Sequence, residues 1–251
     1  SGIYQSHSIC LFMKRAIVIG ASSGLGRQVA QLLIQEGWHV GLAARRVEVL
    51  DELKNLAPDR IFTVKLDVSQ SASKATLHRL INELGGMNLF FYAAGIGWQN
   101  PCLEEEKESA TTETNALGFV RMIGEAYRYF AKNAGGHIAA ITSIASTRGL
   151  GPAPAYSATK ALQKSYLEAL QQQAFKRFLP ITITDIRPGF VDTPLLDNAH
   201  FPMTMTAHRV AKSIVKAIHS KRQVVVIDWR WRIVVALWRC VPRRWYVRLK
   251  L

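Results

Sequence analysis

Cysteine is scarce in this 251-residue chain, acidic residues are outnumbered, and no apolar run is long. The three cysteines, Cys10, Cys102 and Cys240, are odd in number and far apart. They offer neither a disulfide framework nor a metal-ligand spacing, so a reducing, cytoplasmic setting is the simpler reading. No apolar stretch approaches the ~20 residues that a spanning helix requires. Internal repeats, low-complexity tracts and a composition shift that would mark a second domain are absent as well. Eighteen Asp and Glu stand against 32 Lys and Arg, a formal charge of +14. The excess is local: nine Lys or Arg lie from Lys221 onward against one acid, Asp228, so this end carries +8 of the total. Such a concentration suggests an anionic partner surface.

What is present is the composition of a globular protein, 49% apolar and 20% charged, long enough for one large α/β domain. Strand-like runs fall at 16–19, 39–43, 61–65, 89–93, 137–141, 181–186 and 224–227. Helix-like stripes separate most of them: Val29, Leu32 and Leu33; Leu77, Leu80, Ile81 and Leu84; Val210, Ile214, Val215 and Ile218. Apolar strands alternating with helices predict a doubly wound parallel sheet covered on both faces. Residues 190–206 show no period and two prolines, and are expected to form a long loop of the kind that sets specificity. Residues 1–13 are set apart as a tag or disordered segment, with Met13 as the natural start. The expected organisation is then 14–227 as the folded domain and 228–251 as a basic Trp/Arg-rich extension.

Residues 20–26 read GASSGLG between the first strand-like run and the first helical stripe. A Gly-rich turn feeding a helix exposes backbone N–H groups at the positive end of the helix dipole, a seat for a pyrophosphate. Gly20 allows the tight turn, while Gly24 and Gly26 let phosphate and strand approach; the plainer alternative is a packing turn. The second strand ends in Ala44-Arg45-Arg46, where a free adenosine ribose would usually meet an acid. Two arginines suit a 2′-phosphate instead, unless they only cap a strand end in water. Tyr156 and Lys160 stand one helical turn apart, and a nearby ammonium favours the phenolate. Most such pairs are surface helix faces; this one gains meaning from Ser143, after the fifth strand-like run, and from Asn115 on a predicted helix.

With GASSGLG, AARR at 43–46, Asp67-Val68, AAG at 93–95, Asn115, Ser143, Tyr156/Lys160 and Pro188-Gly189 followed by Thr193, the sequence resembles the short-chain dehydrogenase/reductase family from Lys14 to about Ile227. The resemblance implies a single Rossmann-like domain and an oxidoreductase that moves hydride between a nicotinamide and a carbonyl/alcohol substrate. It implies a dinucleotide held by Gly20, Ser22, Ser23, Gly24, Leu25 and Gly26, with Asp67 and Val68 at the adenine. Ala94 and Gly95 would line the cleft, and Pro188, Val191 and Thr193 would border the nicotinamide amide. Tyr156 would be the proton donor or acceptor. Lys160 would lower its pKa and hold the ribose, Ser143 would bind the substrate oxygen, and Asn115 would position a water linking Lys160 to solvent. Arg45 and Arg46 make NADP(H) the expected cofactor, with NAD(H) the alternative. A homodimer or homotetramer is carried over from the family.

One departure is Tyr92, which stands where the family has an asparagine that braces neighbouring strands; a tyrosine there is expected to weaken that bracing and narrow the cleft. The extension, DWRWRIVVALWRCVPRRWYVRLKL, interleaves four tryptophans with arginines, and Pro242 is expected to divide two short helices. Three readings stand: contact with an anionic membrane surface from the cytoplasmic side, packing on the domain or a neighbouring subunit, and nucleic-acid binding, the last disfavoured because nothing else resembles a nucleic-acid module. The extension and the apolar residues Leu195, Leu196, Phe201, Met203 and Met205 suggest a hydrophobic or lipid-like substrate. A catalytically silent dinucleotide-binding scaffold or regulator at a membrane surface is the alternative function.

Overall fold

A computed structural model describes residues 13–196 and 201–249. Cys10 and the segment set apart at 1–12 lie outside the described residues, as do 197–200 of the expected loop. Among the described residues nine strands form in chain order: β1 Arg15–Ile19, β2 His39–Ala44, β3 Ile61–Lys65, β4 Leu89–Tyr92, β5 Gly136–Ile141, β6 Ile181–Arg187, β7 Val191–Asp192, β8 Met205–Thr206 and β9 Val224–Val226. Seven of them, in the order β3-β2-β1-β4-β5-β6-β9, make one parallel sheet. All seven strand-like runs of the sequence are these seven strands. The helices are α1 Gly24–Gln35, α2 Asp51–Lys54, α3 Ser73–Glu83, α4 Glu105–Thr112, α5 Phe119–Lys132, α6 Pro154–Lys176, α7 Ala207–His219, α8 Trp229–Cys240 and α9 Arg243–Tyr246.

Side chains alternate across the strands, and each set fills its own core layer. Ala16, Val18, Leu89 and Phe91 pack with the apolar faces of α1, α7 and α8. Ile17, Ile19, Phe90 and Tyr92 pack with α3, α5 and α6. The chain winds outward from β1 in one direction and from β4 in the other, so the connections leaving these two neighbours diverge. Parallel α/β sheets open a crevice at that switch point, beyond the carboxyl ends of the strands. GASSGLG leaves β1 there and residues 93–97 leave β4 there.

Two local features differ from the sequence expectation. The expected loop at 190–206 holds β7 and β8, which pair in parallel through Val191 and Met205. Two-residue strands are too short to leave a period, which is why the pattern looked structureless. Tyr92 is fully buried, with its ring edge-on to Phe119 at 5.1 Å between centroids. It therefore fills core and has no surface with which to narrow the crevice, correcting that expectation. Its hydroxyl has no hydrogen-bond partner among the described residues, and burial pushes its pKa far up, with Asp67 adding in the same direction.

The extension is split at Pro242 into α8 and α9, as expected. Helix α8 seats Trp231 and Val235 in the core layer of α1 and α7. The Trp231 indole lies edge-on to Phe190 at 5.4 Å and fills the space over Gly189, where a Cβ would stand 2.1 Å from its Nε1. Trp231→Ala should therefore lower the unfolding free energy by about 3 kcal/mol. Trp229→Ala, two residues away and exposed, should cost less than ~0.5 kcal/mol. Urea denaturation of the two variants checks this ranking; equal small losses would mean that α8 is not part of the core.

Candidate active site

The turn after β1 is built without side chains where the backbone is crowded. Gly20 has φ +87°, and a Cβ on it would lie 2.6 Å from the Ala94 nitrogen. A Cβ on Gly26 would lie 2.1 Å from the Gly20 carbonyl oxygen. Both glycines let α1 start directly against the loop that leaves β4, and Gly20 and Ala21 N–H groups donate to Ala43 O of β2. Helix α1 opens after Ser23, whose side chain does not cap it, and no acid lies in its first turn. Its leading N–H groups thus face the crevice with no side-chain acceptor of their own. Gly24 faces Thr193, with 3.4 Å from its Cβ position to Thr193 Cγ2.

The other expected cofactor residues surround this turn. Arg45 and Arg46 are exposed at the end of β2, and neither forms an ion pair among the described residues. Asp67 accepts bonds from the Ser69 amide (3.0 Å) and hydroxyl (2.8 Å) through one oxygen, so the turn after β3 is fixed while the second oxygen stays open. Val68 closes over Gly118, and Arg121 holds Val68 O and Ser69 O at 2.8 and 2.9 Å. Pro188 O accepts from Ile144 N, tying the loop after β6 to that after β5. Val191 is buried in β7. A glycine cradle and an uncapped helix start after β1, with two guanidinium groups free of ion pairs among the described residues after the neighbouring β2, fit an elongated diphosphate such as a nicotinamide dinucleotide.

Beyond it lies the candidate chemistry. Pro154 starts α6, and Tyr156 and Lys160 project from one side of it. Ser143 follows β5, and its Oγ accepts the Ala145 N–H at 3.0 Å, which orients the hydroxyl. The Ser143 side chain stands close enough to the Tyr156 hydroxyl to draw its pKa down. Burial has the larger effect and raises the Tyr156 pKa overall. Lys160, expected to lower that pKa, is not among the causes of its shift. Lys160 Nζ, 5.7 Å from the Tyr156 ring centre, donates instead to Ile141 O (3.2 Å) and Gln163 Oε1 (3.0 Å). Burial brings the Lys160 pKa down to about 8, against the pull of the Asp185 carboxylate.

Asn115 sits in a π-helical turn, Glu113–Gly118, between α4 and α5. Its carboxamide binds the Ile96 backbone in both directions, accepting from Ile96 N at 2.9 Å and donating to Ile96 O at 2.6 Å. Its own carbonyl oxygen accepts from Gln163 Nε2 at 2.8 Å. The Gln163 side chain thereby joins Asn115 to Lys160. Gly95 completes the group: its Cβ position is 3.3 Å from Asn115 Oδ1 and 3.6 Å from Lys160 Nζ.

Gln163 and Gly97 do not stand out in the sequence, yet both shape the site. A Cβ on Gly97 would lie 2.4 Å from the Tyr156 ring, so glycine there makes room for the phenol. Gln163 was legible as the next residue on the Tyr156/Lys160 face, one turn on; Gly97 left no such signal.

The short chain dehydrogenase family model matches residues 14–202. An uncharacterized oxidoreductase of Myxococcus xanthus is 30% identical over 237 residues, covering 91% of this chain and 93% of that protein. Another, from Mycobacterium tuberculosis, is 30% identical over 250 residues, covering 92% and 95%. The fold is shared with a short chain dehydrogenase from Burkholderia cenocepacia solved with NADP (TM-score 0.82, 21% identity, 95% and 98% covered). It is shared as well with a short chain dehydrogenase/reductase from Burkholderia phymatum solved with NAD (TM-score 0.81, 20% identity, 90% and 92% covered).

The buried ammonium has a measurable consequence. Below pH 8 Lys160 is charged in both the folded and the unfolded chain, and the cost of burying it is complete. Between about 8 and the ordinary lysine value of 10.5, the unfolded chain holds a proton that the folded one has released, so stability rises with pH. Wild type should gain on Lys160→Met across that window in paired urea melts. A pH-independent difference would mean that Lys160 is solvated.

Proposed function

The chain belongs to the short-chain dehydrogenase family, it is an oxidoreductase of that type, and from this premise we propose that it reduces a hydrophobic carbonyl compound, or oxidises the matching alcohol, with NADP(H) in preference to NAD(H). The observation that carries the reading is the gathering of Tyr156 and Lys160 at the carboxyl end of the sheet, with Nζ 5.7 Å from the ring, Gly97 against the phenol and Gly95 against the ammonium, beside Ser143 after β5.

Residues 20–26 would hold the diphosphate, Asp67 and Val68 the adenine end, and Ala94, Gly95, Pro188, Val191 and Thr193 the nicotinamide end. When bound, the reduced dinucleotide supplies the hydride. Ser143 and Tyr156 bind the substrate carbonyl oxygen, and Tyr156 gives it a proton. A phenol whose pKa is raised by burial is protonated at neutral pH and so is ready to donate. Lys160, charged below about pH 8, stands ready to favour the phenolate as the proton leaves. Gln163 and the Ile141 carbonyl fix its ammonium, and Gln163 passes that constraint to Asn115.

Arg45 and Arg46 support the NADP(H) preference, since two exposed guanidinium groups without an ion pair among the described residues can meet a 2′-phosphate by charge-assisted bonds. Trp98, next to Gly97, and Leu195, near Thr193, are exposed at the rim and support a hydrophobic substrate. Phe201 and Met205 lend less, for Phe201 stacks on Phe190 at 4.2 Å and Met205 is buried in β8. A homodimer or homotetramer in the cytoplasm belongs to the same proposal, and the exposed free thiols of Cys102 and Cys240 suit a reducing compartment.

Tyr156→Phe should bind NADPH like wild type and lose turnover on a panel of aldehydes and ketones by ~10²-fold or more. Unchanged turnover would remove Tyr156 from the chemistry; no turnover in wild type, with NADPH bound, would favour a silent scaffold. Arg45→Ala and Arg46→Ala should each weaken NADPH about tenfold and leave NADH unchanged, read by nicotinamide fluorescence. Equal losses for both dinucleotides would contradict the 2′-phosphate role.

A further inference from the structure

Helix α8 is apolar on two opposite sides. Successive residues of a helix advance by about 100°, so Trp231, Val234, Val235 and Trp238 form one stripe and Trp229, Ile233, Ala236, Leu237 and Cys240 form the other. The first stripe carries the buried Trp231 and Val235 and meets the domain core. The other stripe faces outward, with Trp229 66%, Ile233 51% and Leu237 63% exposed. Helix α9 and the residues after it continue the same character, with Trp245 65% and Val247 68% exposed. Scattered exposed apolar residues need no explanation, but Trp229, Ile233 and Leu237 along one helix face, followed by exposed Trp245 and Val247, do.

This row is bordered by cations. Arg232, Arg239, Arg243, Arg244 and Arg248 are all exposed. The one acid of the extension, Asp228, is spent: Arg230 binds it through Nε and Nη2 at 3.1 and 2.7 Å, and its side chain is 4% exposed. The surface thus shows uncompensated positive charge around exposed tryptophan, isoleucine and leucine.

From this we infer that α8 and α9 dock on an anionic lipid bilayer, lying in its interface with the Trp229/Ile233/Leu237 row toward the acyl chains and the arginines at the headgroups. The combination of depths fits: tryptophan favours the interface, and basic residues beside it are drawn to anionic headgroups. Twelve residues give α8 a length of about 18 Å, suited to lying on a bilayer and too short to cross one. No described helix is long and apolar enough to cross. A symmetric self-contact through this face would set arginine against arginine with no acid to answer, so a second copy is the poorer occupant.

The inference goes beyond the proposed reaction, but the two surfaces are joined. Arg148 donates to Val241 O at 2.6 Å and lies over the Tyr246 ring at 4.7 Å, and the Tyr246 hydroxyl donates to Gly149 O at 2.8 Å. Arg148 and Gly149 belong to the loop that follows Ser143. On its other side α8 seats Trp231 on Phe190, in the segment that leads to Thr193. Docking would bring both loops of the candidate site to the headgroup layer, where a lipophilic carbonyl compound would be met.

The test is co-sedimentation of the full chain with phosphatidylcholine vesicles containing about one third phosphatidylglycerol, and with phosphatidylcholine alone, at roughly 0.15 M ionic strength. Wild type should sediment with the anionic vesicles only. Ile233→Glu/Leu237→Glu and Arg243→Glu/Arg244→Glu should each bind them at least about tenfold more weakly, with NADPH affinity unchanged. Wild type left in the supernatant overturns the inference, as does binding by the two variants equal to that of wild type. A dimer by size exclusion that either variant dissolves, without vesicle binding, reassigns the face to a second copy. Retention on duplex DNA without vesicle binding reassigns it to nucleic acid. Failure to bind NADPH would defeat the proposed reaction alone, since vesicle binding is read independently of it.

Discussion

The site depends on the pair of hydrogen bonds between the Asn115 carboxamide and the Ile96 backbone. Ile96 lies in the segment leaving β4, which must stay open for a ligand and so has no sheet or helix to satisfy its backbone groups. Asn115 is fully buried, and a buried carboxamide is costly unless both of its ends are paired. Each solves the other's problem. The π-helical turn brings the side chain to this segment and leaves the Asn115 carbonyl available to Gln163. π-Turns often mark functional positions, and here the turn lets one residue hold two walls of the crevice at once.

Through Gln163 that constraint reaches the electrostatics. Lys160 is 4% exposed, and its ammonium is held by the neutral acceptors Ile141 O and Gln163 Oε1. Neutral partners leave its charge uncancelled, while Asp185 is engaged by Arg187 and Thr142 in the neighbouring strand ends. A cation kept buried and unneutralised is readily perturbed, which accounts for a pKa near 8. The same low-dielectric setting keeps Tyr156 protonated. Phenol and ammonium are therefore both shifted by burial, the one upward and the other downward.

The strands were legible because a sheet covered on both faces needs runs of apolar residues, and each of the seven runs supplied one. Gly20 and Gly26 were legible for a related reason: backbone crowding admits no other residue. Tyr156 and Lys160 showed as one helical face. What the sequence hid depends on contacts between distant segments. Asn115 showed only as a polar residue on a predicted helix, and its clamp on Ile96 could not be read because only the fold brings the two together. Gly97 serves a ring 59 positions away. Tyr92 suggested a narrowed cleft, whereas strand alternation turns it into the α5 layer against Phe119. The two faces of α8 share one composition, and packing on Phe190 and Gly189 alone decides which is core.

The most direct measurement is an NADPH titration of wild type and Asn115→Leu, followed by nicotinamide fluorescence, with the folded state of each checked by urea melt. If the Asn115–Ile96 bonds hold the crevice open in its binding shape, wild type binds and the folded variant binds at least about tenfold more weakly. Equal affinity in the two proteins would contradict the account, for the crevice would then hold its ligand without the clamp.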